Sequence, residues 1–433
     1  MENLYEKYCA CGCRVTTDSR TLRGGELFFA LRGENFDGND YALKALEAGA
    51  AWAVVNEDAP LPADGRLIRV PDPYVALRDL AVLHRMRVRG GKLPVLGLTG
   101  TNGKTTTKNL IAAVLAKKYR VAATQGNLNN DIGVPLSLLR ITPETEFAVI
   151  EMGANHPDDI AKLVQVCRPD CGLITNVGRA HLLGFGSFEG VKAAKGELYK
   201  WLGSRRGSLI FLNEDDPDLR EMAAAQPCHV FGYGLAYQEA EILPATPEEP
   251  FLRLRLGGEL IRTQLVGAYN AANVLAARAV GEYFGVPRRE AVAAVAEYAP
   301  DNNRSQMVRT ARNTLIVDAY NANPSSMRAA IDNFRQIEAD ARLALLGDMR
   351  ELGAESLAEH EKVLRQLREN GIPACLVGEE FRKALQSAGS GAEVWFPDSG
   401  ALAEHLAGHP VQGCVVLIKG SRGIRMEQVL TQL

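Results

Sequence analysis

The chain has 433 residues, of which 46% are hydrophobic and 23% are charged, and its formal net charge is −3. At about 150 residues per domain, this length predicts about three domains. The near balance of acidic and basic residues indicates no nucleic-acid partner, and no apolar stretch is long enough to predict a membrane span. The first residues, MENLYEKYCACGC, contain no apolar signal segment, which predicts a cytoplasmic protein.

Eight cysteines in a long chain without a signal segment predict reduced thiols rather than a disulfide framework. Three of them, Cys9, Cys11 and Cys13, lie close together near the start of the chain. Their C-x-C-x-C spacing differs from the C-x₂₋₄-C spacing of zinc knuckles, and a fourth ligand at zinc spacing is missing. The sequence therefore predicts no metal at these cysteines.

Residues 1–90 are predicted to form a small α/β domain. Two short apolar runs, LFFALRG (27–33) and AWAVVN (51–56), flank the helical stretch YALKALEAGA (41–50). The basic segment MRVRGGKLP (86–94), with its glycines and proline, is typical of a linker to the next domain.

Residues 91–300 are predicted to form a central domain on a parallel sheet. Near-continuous apolar runs separated by helical segments are typical of parallel strands that are covered on both faces. The runs are Val95–Leu98, Phe147–Ile150, Leu173–Thr175 and Leu209–Leu212.

Residues 301–433 are predicted to form a C-terminal, doubly wound Rossmann-like domain, with a boundary near Tyr298-Ala299-Pro300. Helical stretches separate four short β-rich runs, and functional loops are expected at the carboxyl ends of such strands. The runs are TLIVDAY (314–320), RLALLGDM (342–349), ACLVGEE (374–380) and CVVLIKGSR (414–422).

The segment GLTGTNGKTTT (97–107) nearly matches the phosphate-loop pattern G-x-x-x-x-G-K-[ST], with Leu98 in place of the first glycine. An apolar strand precedes the loop, and a helix with an apolar face follows from Lys104. Backbone N–H groups in such a loop face phosphates, the lysine reaches their oxygens, and the following hydroxyl can bind Mg²⁺. A simple glycine turn would not need this arrangement, so the sequence predicts a nucleoside triphosphate site.

Two further side chains follow predicted strands of the central domain. Glu151 ends the strand FAVI, and His181 follows the strand in GLITNVG. Each has an ordinary explanation, a solvated strand end for the glutamate and a capped loop for the histidine. Together they could share an Mg²⁺, although imidazole is an unusual ligand for so hard an ion.

The loop G-T-N-G-K-T-[ST], with its first glycine displaced, resembles the ATP loop of the Mur ligases and folylpolyglutamate synthases, which are ATP-dependent amide-bond ligases. The resemblance extends over nearly the whole chain. Further segments are similar to the Mur ligases that use UDP-N-acetylmuramoyl-tripeptide and D-alanyl-D-alanine. These segments are TTDSR (16–20), LFFALRGENFDGN (27–39), QGNLNNDIGVPLSLLR (125–140), VIEMGANHPDDI (149–160), DAYNANPSSM (318–327) and LGDMRELGAES (346–356).

The resemblance implies a set of binding residues. Those implied for ATP are Gly100, Thr101, Asn102, Gly103, Lys104, Thr105 and Thr106 at the phosphates, Asn270 and Asn273 at adenine, and Arg304 and Asp318 at the phosphates and ribose. Those implied for the sugar nucleotide are Asp18, Ser19 and Arg20 at the uridine diphosphate, and Asn127, Asn129 and Asn130 at the muramoyl end.

The resemblance also implies two Mg²⁺ ions, one bound by Thr105 and Glu151 and the other by His181. It identifies Lys195 with a lysine that CO₂ converts into a carbamate, which would give Mg²⁺ an anionic oxygen ligand. From the residues alone, Lys195 is a surface lysine on a helix, like Lys192. Lys104, Glu151, His181 and Lys195 are the implied catalytic residues.

The implied reaction joins a carboxylate to an amine in cytoplasmic peptidoglycan precursor synthesis. ATP would activate the tripeptide carboxylate as an acyl phosphate, and the amine of D-alanyl-D-alanine would displace phosphate. A monomer is expected. One alternative is a sister ligase that adds a single amino acid, and another is a phosphate-loop ATPase that is not a ligase. The second alternative gives no reason for the segments TTDSR and GNLNND.

Overall fold

The computed structural model describes residues 1–246, 249–301, 303–389 and 391–433. The chain forms three α/β units in sequence order, which confirms the predicted class. The first unit contains helices α1 (Glu2–Ala10), α2 (Ala42–Glu47) and α3 (Pro73–Arg87), and strands β1 (Val15–Thr16), β2 (Leu27–Phe29), β3 (Arg32–Gly33), β4 (Phe36–Asp37), β5 (Trp52–Asn56) and β6 (Leu67–Val70). Its main sheet is parallel, in the order β1-β2-β5-β6, and β3 and β4 form a separate antiparallel pair.

The expected linker at residues 86–94 is more structured than predicted. Helix α3 continues to Arg87, and a 3₁₀ turn follows over Val88–Gly91. Val88 and Leu93 are buried in the core shared by the first two units. Apolar burial therefore holds most of this segment against the second unit despite its glycines.

The second unit contains two sheets and eight helices in the part of the chain that the structure describes. The elements are β7 (Val95–Thr99), α4 (Lys104–Leu115), β8 (Val121–Ala123), α5 (Gly133–Leu138), β9 (Phe147–Glu151), α6 (Asp159–Cys167), β10 (Cys171–Ile174), α7 (Leu182–Phe185), α8 (Phe188–Gly203), β11 (Leu209–Asn213), α9 (Pro217–Ala224), β12 (His229–Tyr233), β13 (Glu241–Leu243), β14 (Arg253–Leu256), β15 (Glu259–Arg262), α10 (Ala271–Tyr283) and α11 (Arg288–Glu297).

The main sheet of the second unit is parallel, in the order β12-β11-β10-β7-β9-β8. Strands β7 and β9 are buried along their whole length, as expected of strands covered on both faces. The four predicted runs correspond to β7, β9, β10 and β11. Their carboxyl ends therefore meet at one edge, where the predicted phosphate loop leaves β7.

The small antiparallel sheet β13-β14-β15 was not predicted. Strands β14 and β15 are joined by Gly257 and Gly258, which both have positive φ, at 55° and 80°. A Gly-Gly turn between alternating strands is a known hairpin signal, and the sequence RLRLGGELIR carries it.

The third unit is a doubly wound sheet in the order β16-β17-β21-β18-β19-β20. Among the strands that the structure describes in this unit, only the edge strand β16 is antiparallel to its neighbour. The elements are β16 (Gln306–Arg309), β17 (Thr314–Asp318), α12 (Pro324–Gln336), β18 (Arg342–Gly347), α13 (Ser356–Glu369), β19 (Ala374–Val377), α14 (Glu379–Ala388), β20 (Val394–Phe396), α15 (Ser399–Gly408) and β21 (Val415–Lys419).

The second and third units face each other across a crevice. The Asn323 side-chain amide donates to Asn102 Oδ1 over 2.7 Å, and Arg179 pairs with Glu355 over 2.7 Å. Both contacts come from loops that follow parallel strands, so the carboxyl ends of the two sheets lie at the crevice. Within the described ranges, no helix is both long enough and apolar enough to span a bilayer.

Candidate active site

The predicted phosphate loop is a turn between strand β7 and helix α4. Gly100 and Gly103 have φ of 142° and 77°, which a residue with a Cβ rarely adopts. A Cβ on Gly103 would also lie 2.7 Å from Asn273 Oδ1. The glycines therefore allow a tight loop at the amino end of α4, where free N–H groups favour an anion.

Lys104 points back over this loop. Its Nζ donates to the carbonyl oxygens of Gly100 at 2.8 Å and Thr101 at 3.1 Å. Burial lowers the pKa of Lys104 to about 8; the nearby Arg304 also lowers it, and the Glu151 carboxylate opposes the change. An anion at the loop would favour the charged ammonium and could replace these carbonyl contacts.

Glu151 lies at the end of β9 with only 1% of its surface exposed. Its Oε1 accepts hydrogen bonds from Thr105 Oγ1 at 3.2 Å and Asn129 Nδ2 at 2.8 Å. Its Oε2 is buried and has no hydrogen-bond partner among the described residues. A buried carboxylate oxygen beside a threonine hydroxyl and a phosphate loop fits an Mg²⁺ ligand set.

His181 lies where the second and third units meet. Its ring contacts the carboxylate of Glu351 from the third unit, and this contact lowers the pKa of Glu351. Both residues have positive φ, 52° for His181 and 66° for Glu351. Non-glycine residues in this region store strain, and such positions cluster at functional sites.

Lys195 is not a surface lysine. It lies on α8 with 2% of its surface exposed, and its Nζ donates to the Ala154 carbonyl oxygen at 3.2 Å. Its Nζ also lies 5.4 Å from the centre of the Phe185 ring. Burial, together with the nearby Lys104 ammonium, lowers the pKa of Lys195 to about 7.

Lys192, one turn earlier on α8, has a different environment. Its Nζ pairs with Asp218 and Glu221, each at 2.7 Å. These carboxylates raise the pKa of Lys192. No described carboxylate lies within 4.0 Å of the Lys195 Nζ. The two lysines of one helix are therefore chemically distinct.

Asn270 and Asn273 are buried beside the phosphate loop. Asn273 accepts a hydrogen bond from Thr107 Oγ1 and donates to Asn270 Oδ1, both at 2.9 Å. The Asn270 amide donates to the Val266 carbonyl at 2.9 Å. This chain of hydrogen bonds fixes the start of α10 against α4.

The third unit contributes two charged groups to the crevice. The Arg304 guanidinium lies 3.7 Å from the centre of the Tyr320 ring. Asp318, at the end of β17, pairs with Lys419 Nζ at 2.5 Å. Lys419 is 1% exposed and ends the neighbouring strand β21, so its charge holds Asp318 in place.

The sequence prediction missed Lys419, Asn176 and Asn323 as site residues. The Asn102 backbone N–H donates to Asn176 Oδ1 at 3.0 Å, and the Asn102 side chain accepts the hydrogen bond from Asn323. All three missed residues follow or end parallel strands, at the positions where polar groups of this fold gather. Their positions at or just after the carboxyl ends of predicted strands could have identified them as site residues.

Three cavities lie near the phosphate loop and the end of β9. The first, of about 380 Å³, is lined by most of the predicted ATP residues, among them Thr101, Asn102, Gly103, Lys104, Thr106, Asn270, Asn273, Arg304 and Asp318, together with Glu151 and His181. The second, of about 850 Å³, lies between α3 and α6 and is lined by Asn129 and Asn130. The third, of about 830 Å³, is lined by Thr105, Asn127 and Arg422. Asn127 thus lines a different cavity from Asn129 and Asn130, and its carbonyl accepts a hydrogen bond from the Asn129 backbone N–H at 2.8 Å.

Asp18, Ser19 and Arg20 form an exposed turn in the first unit. Asp18 pairs with Arg20 at 2.7 Å, and 86% of the Arg20 side chain is exposed. Hydrogen bonds from Arg20 lower the pKa of Asp18 to about 2. None of the three residues lines the cavities around Glu151.

Three family models match successive parts of the chain. Residues 14–85 match the Mur ligase family catalytic domain. Residues 98–281 match the Mur ligase middle domain, and residues 303–422 match the Mur ligase glutamate ligase domain. The order of these matches follows the order of the three α/β units.

Whole-length relatives agree with these matches. The chain is 37% identical over 429 residues to the UDP-N-acetylmuramoyl-tripeptide–D-alanyl-D-alanine ligase of Escherichia coli strain K12, covering 97% of this chain and 93% of that protein. It is 32% identical over 430 residues to the ligase of the same name in Bacillus subtilis strain 168, covering 97% and 92%.

Solved structures lead to the same family. A crystal structure of MurF from Acinetobacter baumannii has a TM-score of 0.85 and 30% identity, covering 97% of this chain and 93% of that one. The MurF ligase from Thermotoga maritima in complex with ADP has a TM-score of 0.82 and 28% identity, covering 97% and 96%. The chain belongs to the Mur ligase family.

Proposed function

We propose that this protein is an ATP-dependent ligase that adds D-alanyl-D-alanine to UDP-N-acetylmuramoyl-tripeptide in peptidoglycan precursor synthesis. The observation that carries the proposal is the 37% identity, over nearly the full length of both chains, to the Escherichia coli ligase named for these substrates. A sister ligase that adds a single amino acid is less well supported. A solved diaminopimelate ligase has only 19% identity and a TM-score of 0.54.

ATP is the nucleotide, and its phosphates are proposed to bind the loop from Gly100 to Thr106. The complex of the Thermotoga maritima MurF with ADP supports a nucleotide in this fold. Lys104 lies on the loop and would place its positive charge on the transferring phosphoryl group. Arg304 and Asp318 are proposed to close on the nucleotide from the third unit.

Thr105, Glu151, His181 and a carbamylated Lys195 are proposed to hold two Mg²⁺ ions. The unpartnered Oε2 of Glu151 supports the first site. The metals would supply positive charge that stabilises negative charge on the phosphoryl oxygens. The Glu351 carboxylate contacts His181 Nδ1, so Nε2 is the nitrogen that would act as the ligand.

Carbamylation of Lys195 requires a neutral amine. Burial of the Lys195 ammonium favours the neutral form, whose lone pair can bond to the carbon of CO₂. Loss of one proton then leaves an anionic carbamate. That anion would place negative oxygens near the Lys104 ammonium, whereas an uncharged amine would not.

The proposed chemistry needs no covalent protein intermediate. A carboxylate oxygen of the tripeptide attacks the γ-phosphorus of ATP, and ADP leaves. The neutral amine of the dipeptide attacks the resulting acyl phosphate, and inorganic phosphate leaves as the amine loses its proton. The crevice between the second and third units would exclude water from the acyl phosphate.

Several finer assignments belong to the proposal. Residues 1–90, 91–300 and 301–433 are proposed as the sugar-nucleotide, ATP and ligase domains. Asn127, Asn129 and Asn130 are proposed to face the muramoyl end. Asn129 and Asn130 line the cavity between α3 and α6, and Asn127 is hydrogen-bonded to Asn129 through the backbone. Asp18, Ser19 and Arg20 are proposed for the uridine diphosphate. The protein is also proposed to be cytoplasmic and monomeric.

The test is a comparison of amine substrates. Purified protein is incubated with ATP, Mg²⁺ and UDP-N-acetylmuramoyl-tripeptide, and D-alanyl-D-alanine, L-lysine or meso-diaminopimelate is added in separate reactions. We expect phosphate release and a product of increased mass with the dipeptide only. A product from a single amino acid, or ATP hydrolysis that needs neither organic substrate, would overturn the proposal.

A further inference from the structure

The cavity of about 830 Å³ beside the phosphate loop is rich in unpaired positive charge. Its lining includes Lys108 from α4, Arg304 from the segment before β16, and Arg422 from the turn after β21. Asp301 is the one carboxylate among the described lining residues. Among the described residues, no carboxylate lies within salt-bridge distance of any of the three cations.

Tyr320 contacts two of these cations, Arg422 and Arg304. Arg422 Nη1 donates to the Tyr320 hydroxyl at 3.0 Å, and its guanidinium carbon lies 5.2 Å from the ring centre. The Arg304 guanidinium stacks on the same ring at 3.7 Å, and its buried Nε has no hydrogen-bond partner among the described residues. Two guanidinium groups on one ring repel each other, so the cavity favours an anion between or beside them.

The position of the Arg422 cavity indicates which substrate binds there. The cavity with Asn129 and Asn130 shares Gly153, Ala154 and Asn155 with the ATP cavity, so it gives the sugar nucleotide a route to Glu151. The Arg422 cavity shares no described lining residue with the Asn129 cavity, and it meets the ATP cavity at Arg304 and Tyr320. It is therefore the space left for the second organic substrate.

We propose that Arg422, held against Tyr320, binds the terminal carboxylate of the incoming dipeptide and so directs its amine toward the acyl phosphate. The proposal rests on the proposed function, because it presumes D-alanyl-D-alanine as the second substrate. A planar guanidinium can bind a carboxylate through two parallel hydrogen bonds. An extended dipeptide spans at most about 7 Å, which a cavity of this volume accommodates.

The experiment compares D-alanyl-D-alanine with its C-terminal amide, which keeps the amine and shape but has no negative charge. Wild-type protein should prefer the acid by about 10- to 100-fold in kcat/KM, the range for a hydrogen bond between charged groups. In Arg422→Gln this preference should fall to within about threefold, through a raised KM for the acid. Arg422→Lys, which keeps the charge without the fork, should be intermediate.

Matched controls separate this role from a structural one. Arg365→Gln changes an exposed arginine on α13 in the same unit and should leave the preference unchanged. The KM values for ATP and UDP-N-acetylmuramoyl-tripeptide should stay within about twofold of wild type in Arg422→Gln. Because Arg422 is exposed, the variant is expected to fold. If it does not, the Arg422→Lys comparison replaces it.

Two results would overturn the assignment. One is an unchanged preference for the acid over the amide in Arg422→Gln. The other is a raised KM for UDP-N-acetylmuramoyl-tripeptide with an unchanged KM for the dipeptide, which would show that Arg422 binds a carboxylate of the stem peptide. Failure of wild-type protein to use any dipeptide would instead refute the proposed function itself.

Discussion

Replacing Lys104 with methionine should abolish ligation without destabilising the protein. The methionine keeps most of the apolar stem and removes only the ammonium, which donates to two loop carbonyls. Loss of one preorganised charge at a transferring group typically costs about 10²- to 10³-fold in kcat. We expect at least this loss for Lys104→Met.

Although Lys104→Met should lose activity, its free energy of unfolding at neutral pH should not fall below that of the wild type. The pKa of Lys104 falls from an ordinary value of 10.5 to about 8 on folding, because burial penalises the ammonium. The unfolded chain therefore binds more protons between pH 8 and 10.5, so this group's destabilising effect is complete below about pH 8 and fades as pH rises. At 1.36 kcal/mol per pKa unit, the effect is on the order of 3 kcal/mol, reduced by the two lost hydrogen bonds.

The assay is chemical unfolding of both proteins without nucleotide at pH 7 and at pH 10, together with phosphate release. We expect Lys104→Met to be as stable as wild type or more stable at pH 7, and to lose that advantage at pH 10. Lys118→Met, which changes an exposed lysine in the turn just after α4, serves as the control. Ligation near the wild-type rate, or a large loss of stability at pH 7, would refute this account of Lys104.

Three further outcomes are expected. Lys195→Ala should lower turnover by at least about 100-fold, and acetate or formate should restore part of the activity by replacing the carbamate oxygens; normal turnover would contradict the carbamate. Tyr8→Phe should destabilise the contact between the first and second units by about 1–3 kcal/mol in chemical unfolding, because it leaves the Leu139 carbonyl without its buried 2.8 Å donor. Glu355→Gln, which breaks an exposed pair with Arg179, should change stability by less than about 1 kcal/mol, and a larger change would indicate that this pair holds the units together.

The phosphate loop could be predicted because all its determinants are contiguous. The strand, the two glycines, Lys104 and the helix lie within one short segment, so local conformation alone brings them together. Glu151 was predictable for a related reason, because the carboxyl ends of parallel strands meet at one edge. In both cases the local sequence and the sheet topology contain the needed information.

The burial of Lys195 was also encoded in the sequence but was not inferred from it. Along α8, the buried positions 191, 194, 198 and 202 recur at helical spacing, and Lys195 falls on this face. Lys192 falls on the polar face, where its carboxylate partners lie. A lysine among apolar residues on one face of a helix was the signal that the two side chains differ.

Contacts between units could not be predicted in this way. His181 meets Glu351, and Asn102 meets Asn323, across 170 and 221 residues of sequence. These pairs depend on the relative orientation of the second and third units. The sequence pattern within either unit does not determine that orientation. Most buried residues of the two units belong to different clusters, and Val266 and Phe251 of the second unit pack into the cluster of the third. Periodicity within each unit therefore leaves their relative placement open.

The charges of the crevice explain why an anionic ligand should govern this approach. Arg304 of the third unit is close enough to Lys104 to lower its pKa, so the two cations oppose contact between the units. The neutral hydrogen bond between Asn102 and Asn323 offsets this repulsion only modestly. A polyphosphate between Lys104 and Arg304 would attract both cations, which otherwise repel each other. Because this binding needs residues of both units, it stabilises the contact between them. Nucleotide binding and closure of the crevice are therefore linked, and each must strengthen the other by the same free energy.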